Sequence, residues 1–541
     1  MVWINGPKTK INPRLMAKPV VTLAVAIIRQ PLSKKGLLAA LFAGVVASLA
    51  LPPHGITLFL LALALPGLQL AFARDWRQGA MIGWATGLGW FIYSIYWISN
   101  ALVVSGGSDL ALIPFSALGL PAFLALFWAA GFALSARLTQ DKISRLILLI
   151  AGLALMEYAR GIVLTGFPWN LPGMVLANTD ITLAMASILG VNGGTVVILA
   201  LAMIPAMLVL NARAWAAAIT LSVAGLMVCS VWSWGQSSDQ PEESVSLMQV
   251  RMVQPNIPQN DKWDRRQRPQ HLAQMITASR APADRPLDLI IWPETAFAGF
   301  YEQDRGTVNA IALAASSGVT PVLMGILSEP DFGQFYNAAG VYAPGSGMGG
   351  SGMGRLYHKR HLVPFGEYVP LRSYLPFIDA IAGPYDFSSG QTPMALSLER
   401  QDGEVVKLLP LICYEVIFPS KVRQDQITLD ADVLVNLTND AWFGDTIGPR
   451  QHLAMAQMRS AELGMPMIRV ANTGISAVID SHGRLVASIA YGQSGFQDAA
   501  IRPKRGTFYL TYGDVGFWGF LGLLFAAAGV RRFLTPNNRR M

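Results

Sequence analysis

The chain has 541 residues, of which 52% are hydrophobic and only 14% charged. Soluble domains carry about a quarter charged residues, so this balance excludes an ordinary soluble enzyme and points to a membrane protein. The net charge of +8 would suit nucleic acid, but the basic residues lie in short segments beside apolar runs, a pattern of membrane topology that excludes a nucleic-acid groove.

At this length two or more domains are expected. Residues 1–35 form a basic tail with Lys8, Lys10, Arg14, Lys18, Arg29, Lys34 and Lys35. Its apolar piece 20–28 is too short to span a bilayer and lacks a convincing cleavage site after it, so it is not read as a signal peptide. Seven apolar segments of spanning length follow, near 36–52, 56–73, 80–100, 109–136, 144–165, 185–211 and 214–234, and an eighth lies near 514–533. Pro52-Pro53-His54-Gly55 reads as a tight turn between the first two.

Lys and Arg alternate between the loops. Arg74 and Arg77, then Arg137, Lys142 and Arg145, then Arg213, and finally Arg531, Arg532, Arg539 and Arg540 lie on one side, whereas loops 52–55, 101–108 and 166–184 contain neither residue. By the positive-inside rule both termini are cytoplasmic and segment 235–513 lies outside the cytoplasmic membrane. Within the fifth span, Glu157 and Arg160 are expected to pair, with Arg160 reaching to the interface. The aromatic loop 166–173 fits either a lipid entry or an interfacial belt.

Composition changes near Gly235, and 236–243 is a polar linker. Strand-like segments at 246–254, 287–292, 320–326, 405–413, 432–437 and 467–470 then alternate with helical ones near 265–280, 305–317 and 450–463. That alternation predicts an α/β domain over 235–513. The Gly/Met-rich 345–354 reads as a flexible hairpin tip, and the apolar 374–378 as a lid or as ordinary packing.

Three polar motifs close apolar strands in this domain: Trp292-Pro293-Glu294, the run from Tyr357 through Lys359 to Glu367, and Ile412-Cys413-Tyr414-Glu415. A thiol of pKa about 8.5 needs a base or a nearby cation to attack at neutral pH. Glu294 suits the base, and Lys359 with the N–H after Cys413 suits an oxyanion. Each residue also has a plain structural reading: Cys413 as a buried core thiol, Glu294 as a helix cap, Lys359 as a surface charge, Glu367 and Glu415 as solvated turn residues. The other cysteine, Cys229, lies in an apolar run, so no disulfide is expected. Six histidines, including His358 and His361, show no metal-ligand spacing, so neither a metal nor another cofactor is expected.

In this order the motifs resemble the nitrilase (carbon–nitrogen hydrolase) superfamily, as do 437–444, Gln451-His452 and 469–474. Joined to seven preceding spans and one following, the chain from about 36 to 533 resembles the apolipoprotein N-acyltransferase family. The resemblance implies a fold of about eight helical spans carrying an αββα sandwich that rests on the periplasmic face. It implies Glu294, Lys359 and Cys413 as catalytic triad, Glu367 as a supporting glutamate, Tyr414 and Glu415 as supporting residues, and Trp263 in the substrate region. The implied partners are a phospholipid acyl donor, a diacylglyceryl-cysteine lipoprotein acceptor and the bilayer, with the enzyme a monomer. A tethered amidase using the same triad, and a non-enzymatic membrane scaffold, are the competing readings.

Overall fold

Helices lie on all eight apolar segments: Lys34–Ser48; Thr57–Leu63 running into Ala64–Ala71; Trp76–Ser94 with Ile98–Ser105; Gly107–Leu112 and Phe115–Gly119 leading into Leu120–Leu138; Lys142–Arg160; Ala186–Val209; Arg213–Ser238; and Val515–Leu534. The computed structural model describes residues 26–238, 246–344, 352–370, 372 and 386–534. Most of the basic tail, residues 239–243 of the linker, 345–351 of the hairpin tip and the segment 374–378 therefore lie outside the described residues, whereas 236–238 continue the helix Arg213–Ser238 and Gly352–Met353 form a strand. Ser33, Asp75 and Asp141 start their helices by accepting the N–H of Gly36, Gln78 and Ser144, groups that have no partner within the helix. Among the described residues, Asp109–Leu138, Ala186–Val209 and Arg213–Ser230 are each long and apolar enough to cross a membrane. The pair Trp76–Ser94 and Ile98–Ser105, bent by 48°, adds a fourth if it is one span. Others are shorter, or carry charge as Lys142–Arg160 does.

Arg160 does not reach solvent. It is fully buried, pairs with Glu157 at 2.5 Å, and donates to the carbonyls of Phe167 and Trp169. Trp128 Nε1 donates to the same Glu157 at 2.8 Å. A guanidinium out of water needs its donors filled, and these groups fill them while fixing the loop after the helix.

The α/β domain has fourteen strands among the described residues: β1 (Met248–Gln254), β2 (Leu289–Ile291), β3 (Phe297–Phe300), β4 (Val322–Ser328), β5 (Tyr336–Ala343), β6 (Gly352–Met353), β7 (Tyr357–His358), β8 (Leu396–Glu399), β9 (Val405–Ile412), β10 (Val433–Thr438), β11 (Met467–Ala471), β12 (Ser476–Ile479), β13 (Leu485–Ile489) and β14 (Gly495–Ile501). One sheet runs β14-β1-β2-β4-β5-β6, with β3 also on β4 and β7 on β5; the other runs β13-β12-β11-β10-β9-β8. The centres β1-β2-β4 and β9-β10-β11 are parallel. Side chains alternate across each strand. Met248, Val250, Met252 and Ile291 of the first sheet thus meet Leu408, Ile412, Val433 and Val435 of the second in one core. Val253, Ile290 and Trp292 point the other way, onto the helix layer of Arg268–Ser279 and Tyr301–Ser316.

The opposite helix layer, Pro419–Leu429 and Gly448–Leu463, covers the second sheet and continues into the core of the apolar helices. Leu409, Leu411 and Leu434 share that core with Met455, Met458, Leu176, Val191 and Leu199. Each such side chain contributes about 1.5–3 kcal/mol by leaving water, so the α/β domain is seated on the helices rather than tethered to them.

One seat contact is ionisable. Gly190, at φ 61°, breaks the helix Ala186–Val209, and its missing side chain makes room for the Tyr509 ring. The Val191 N–H beside the break donates to buried Glu462 at 2.6 Å, and Arg459 pairs with the same carboxylate. Burial outweighs Arg459 and that N–H and pushes Glu462 up from 4.5 to about 7. The folded state therefore binds more protons than the unfolded state between these values, and stability falls as pH rises through the window. We expect the thermal midpoint of the full-length protein in detergent to drop between pH 5 and 7.5, with a shallower drop in Glu462→Gln. Equal slopes in the two proteins would sink the assignment.

Candidate active site

The parallel strands deliver the polar motifs to one end of the sandwich. β2 leads through Trp292-Pro293 to Glu294, and β9 runs straight into Cys413. Loops beyond the C-terminal ends of parallel strands are where α/β sheets usually hold ligands. Ile291 and Ile412 pack in the same inter-sheet core, so Glu294 and Cys413 emerge side by side. Lys359 follows the short β7, which is held on β5 by pairing with Ala338 and Ala339.

Cys413 sits at φ 49°, a left-handed conformation rare for a residue with a side chain. The chain turns there from β9 into the short helix Cys413–Ile417. Glu415 makes the turn affordable. Its carboxylate accepts Ile412 N–H at 2.7 Å, Arg360 N–H at 2.8 Å, His361 N–H at 3.1 Å and Tyr357 O–H at 2.8 Å. Three of these donors lie within two residues of Lys359, so one buried carboxylate ties the lysine segment to the cysteine turn. Burial raises the Glu415 pKa, against the pull of these hydrogen bonds and of Lys359.

Lys359 is buried and donates to Glu367 Oε1 at 2.8 Å, with Glu294 Oε1 at 4.0 Å. Glu367 Oε2 in turn accepts Val363 N–H at 2.8 Å. Asn337 Nδ2 donates to Glu294 at 2.6 Å and to Glu367 at 3.3 Å. Gly325 lets the Glu294 backbone come close, since a side chain there would lie 2.6 Å from the Glu294 Cα. Burial alone would lower Lys359, but Glu367, Glu294 and Cys413 outweigh it and hold the ammonium above the ordinary lysine range. Burial and the neighbouring Lys359, Glu367 and Lys262 charges act on Glu294, and its pKa is raised. The Cys413 thiol is pushed up to about 12 by burial and by Glu294, with Lys359 opposing. The arrangement is a protonated thiol beside a carboxylate that can take its proton and a permanent cation that can face an anion.

All three triad candidates and Glu367 therefore converge. Tyr414 is buried and donates to Gly166 O at 3.0 Å, in the loop fixed by Arg160, rather than to a triad side chain. Trp263 is 50% exposed, at the surface beside buried Lys262, and not among the triad. Several participants carried no assigned role in the sequence. Asn337 lies in β5, which no motif marks. His452 places Nε2 3.2 Å from Cys413 O and Nδ1 2.9 Å from Asp440, which Arg469 also grips at 2.6 Å. Gln451, next to His452, accepts from Trp97, Trp169 and Asn170 at 3.0, 2.9 and 3.2 Å. Gln451, His452 and Arg469 stood inside recognisable segments, but no spacing says that they meet beneath the cysteine.

Comparison with known proteins gives two family models. Carbon-nitrogen hydrolase matches residues 249–509, and the apolipoprotein N-acyltransferase N-terminal domain matches 43–204. The chain is 34% identical to an apolipoprotein N-acyltransferase of Allorhizobium ampelinum over 526 residues, covering 92% of this chain and 95% of that one. It is 34% identical to another from Rhodopseudomonas palustris, covering 88% and 91%. Among solved structures, a mutant of a nitrilase-superfamily amidase from Nesterenkonia AN1 aligns with a TM-score of 0.35 at 15% identity, covering 54% of this chain and 98% of that one.

Glu415→Ala should strand four donors, two of them buried and two partly buried, at up to about 1–3 kcal/mol each. We expect a lower thermal midpoint and, in protein that remains folded, alkylation of Cys413 by iodoacetamide slowed at least about tenfold. Unchanged alkylation would show that Glu415 does not set the cysteine turn.

Proposed function

We propose that this chain, which belongs to the apolipoprotein N-acyltransferase family, moves a fatty acyl group from a membrane phospholipid to the N-terminal amine of a diacylglyceryl-cysteine lipoprotein through a Cys413 thioester. That it is an acyltransferase follows from the family; donor, acceptor, intermediate and residue roles are our reading. One observation carries it: Cys413, Glu294 and Lys359 meet in a buried cluster whose cysteine turn is bonded directly to the apolar helices through Tyr414 and Gly166.

In the first half-reaction Glu294 takes the thiol proton as Sγ attacks the ester carbonyl of the phospholipid. Lys359 and the N–H after Cys413 stabilise the tetrahedral oxyanion. The C–O bond breaks, the proton passes from Glu294 to the departing oxygen, and lysophospholipid leaves. In the second half-reaction the lipoprotein amine attacks the thioester, Glu294 accepts the amine proton, and the C–S bond breaks to leave an amide and the restored thiol. Glu367 and Asn337 hold Lys359 and Glu294 in place. A buried site protects the thioester from water, which would otherwise hydrolyse it. Trp263, at the surface beside Lys262, is proposed to contact substrate.

The same reading places about eight spans over 36–234 and 514–533 in the inner membrane, both termini in the cytoplasm, and the 235–513 domain in the periplasm. The basic loops support that orientation. A monomer with no cofactor suffices for the chemistry.

Purified protein mixed with phospholipid vesicles should gain the mass of one acyl group, discharged by a diacylglyceryl-cysteinyl peptide and absent in Cys413→Ala. Hydrolysis of a small amide without an adduct would favour a tethered amidase, and neither reaction would favour a scaffold. Because Glu294 must be ionised to act as base and its pKa is raised, adduct formation should rise with pH along a limb above the ordinary range of about 4.3 for glutamate. Glu294→Gln should remove that limb and slow acylation at pH 7 by at least about 100-fold; a retained limb would assign the base elsewhere.

A further inference from the structure

Lys262 has no part in the mechanism above, yet it lies beside it. In the sequence Asp261-Lys262-Trp263 the tryptophan faces outward and the lysine inward, with only 7% of its surface exposed. Its Nζ donates to the backbone carbonyl of Glu294 at 3.1 Å. It also lines a cavity of about 20 Å³, room for one water, together with Glu294, Thr295, Arg268, His271 and Asn472. A buried ammonium is costly unless it faces negative charge, and one neutral carbonyl does not supply that.

The charges of the site supply the reason. Activation of the thiol moves one negative charge from Glu294 to the Cys413 sulfur, while Glu367 keeps its ion pair with Lys359. After the proton moves to Glu294, the anions are the Cys413 sulfur and Glu367. In both states two negative charges face Lys359, which is bonded to Glu367 and stands 4.0 Å from Glu294. Asp440, the other carboxylate acting on Cys413, is already gripped by Arg469. Glu415 is compensated by its own four hydrogen-bond donors, so against the anions that face Lys359 one further buried positive charge is available, that of Lys262.

We propose that Lys262 is a positioning residue for acyl transfer: its ammonium anchors the Glu294 main chain and supplies the second positive charge that lets Glu294 and Cys413 exchange a proton without an uncompensated anion. The inference deepens the acyl-transfer reading and rests on it for the reaction that the charge serves. Electrostatics agrees with the geometry. Burial brings Lys262 down to about 8, and the nearby Glu294 and Cys413 are what keep it from falling further. Its charge is thus present at neutral pH and thins out above that value.

The test is the pH profile of Cys413 alkylation by iodoacetamide in the full-length protein carrying Cys229→Ser, followed by mass spectrometry. No acyl donor is needed, so failure of lipid transfer in the wild-type protein would leave this test intact. Lys262→Gln keeps a donor for the Glu294 carbonyl but loses the charge; Lys262→Arg keeps both. We expect Lys262→Gln to shift the limb upward by about one pH unit, making alkylation about tenfold slower near pH 7, and Lys262→Arg to retain most of the parent profile. Coincident Lys262→Gln and parent profiles would overturn the proposal. So would equal displacement in both variants, which is the mark of a packing role. If Lys262→Gln and Lys262→Met both lose the thermal transition while Lys262→Arg keeps it, the charge serves folding and the proposal also fails.

Discussion

The buried carboxylate of Glu415 is the constraint on which the site depends. It sits where the two sheets end together, accepting donors from Tyr357, Arg360 and His361 beside the first sheet and from Ile412 in the second. A buried anion is tolerable only when its lone pairs are filled. Filling them from both sheets sets the separation of Lys359 and Cys413 and holds the cysteine at its unfavourable φ. The strain at Cys413 and the burial of Glu415 are thus one arrangement: the second offsets the first.

Below this arrangement the α/β domain is continuous with the helices. Tyr414 reaches Gly166, Gln451 gathers Trp97, Trp169 and Asn170, and Glu462 takes the N–H freed at the Gly190 break. Each contact joins a residue close in sequence to the site with a loop or helix of the apolar half. The loop 166–173 is therefore part of the floor under the nucleophile, held from its other side by Arg160 and Glu157. The cysteine turn is thus joined to the apolar half through packed, hydrogen-bonded groups.

Charge is handled in the same economical way. Lys359 and Lys262 are buried, and Glu294 and Glu367 keep only 10% and 13% of their side chains exposed, so their charges are weakly screened and act on one another. Asn337 and the His452–Asp440–Arg469 group add dipoles and a closed ion pair without adding net charge at the cysteine.

Much of this was legible in the chain itself. Apolar runs of spanning length located the helices, because helix length and hydropathy are local properties. The alternating strand and helix segments announced an α/β domain, and Glu294, Lys359 and Cys413 stood out as candidates by closing apolar strands. Strands such as β5, β8 and β12–β14 were not legible, since their register is set by neighbours far along the chain; β14 finds its place only by pairing with β1. Arg160 read as a residue at an interface and is a buried loop clamp, because the carbonyls that satisfy it come from a turn whose path is tertiary. The same holds for Glu415, Lys262 and Gln451. Sequence determined which chemical groups are present and where the apolar helices and the central strands lie. Only the packing of two sheets on a bed of helices decided which groups share one buried, low-dielectric volume, and so which charges must balance there.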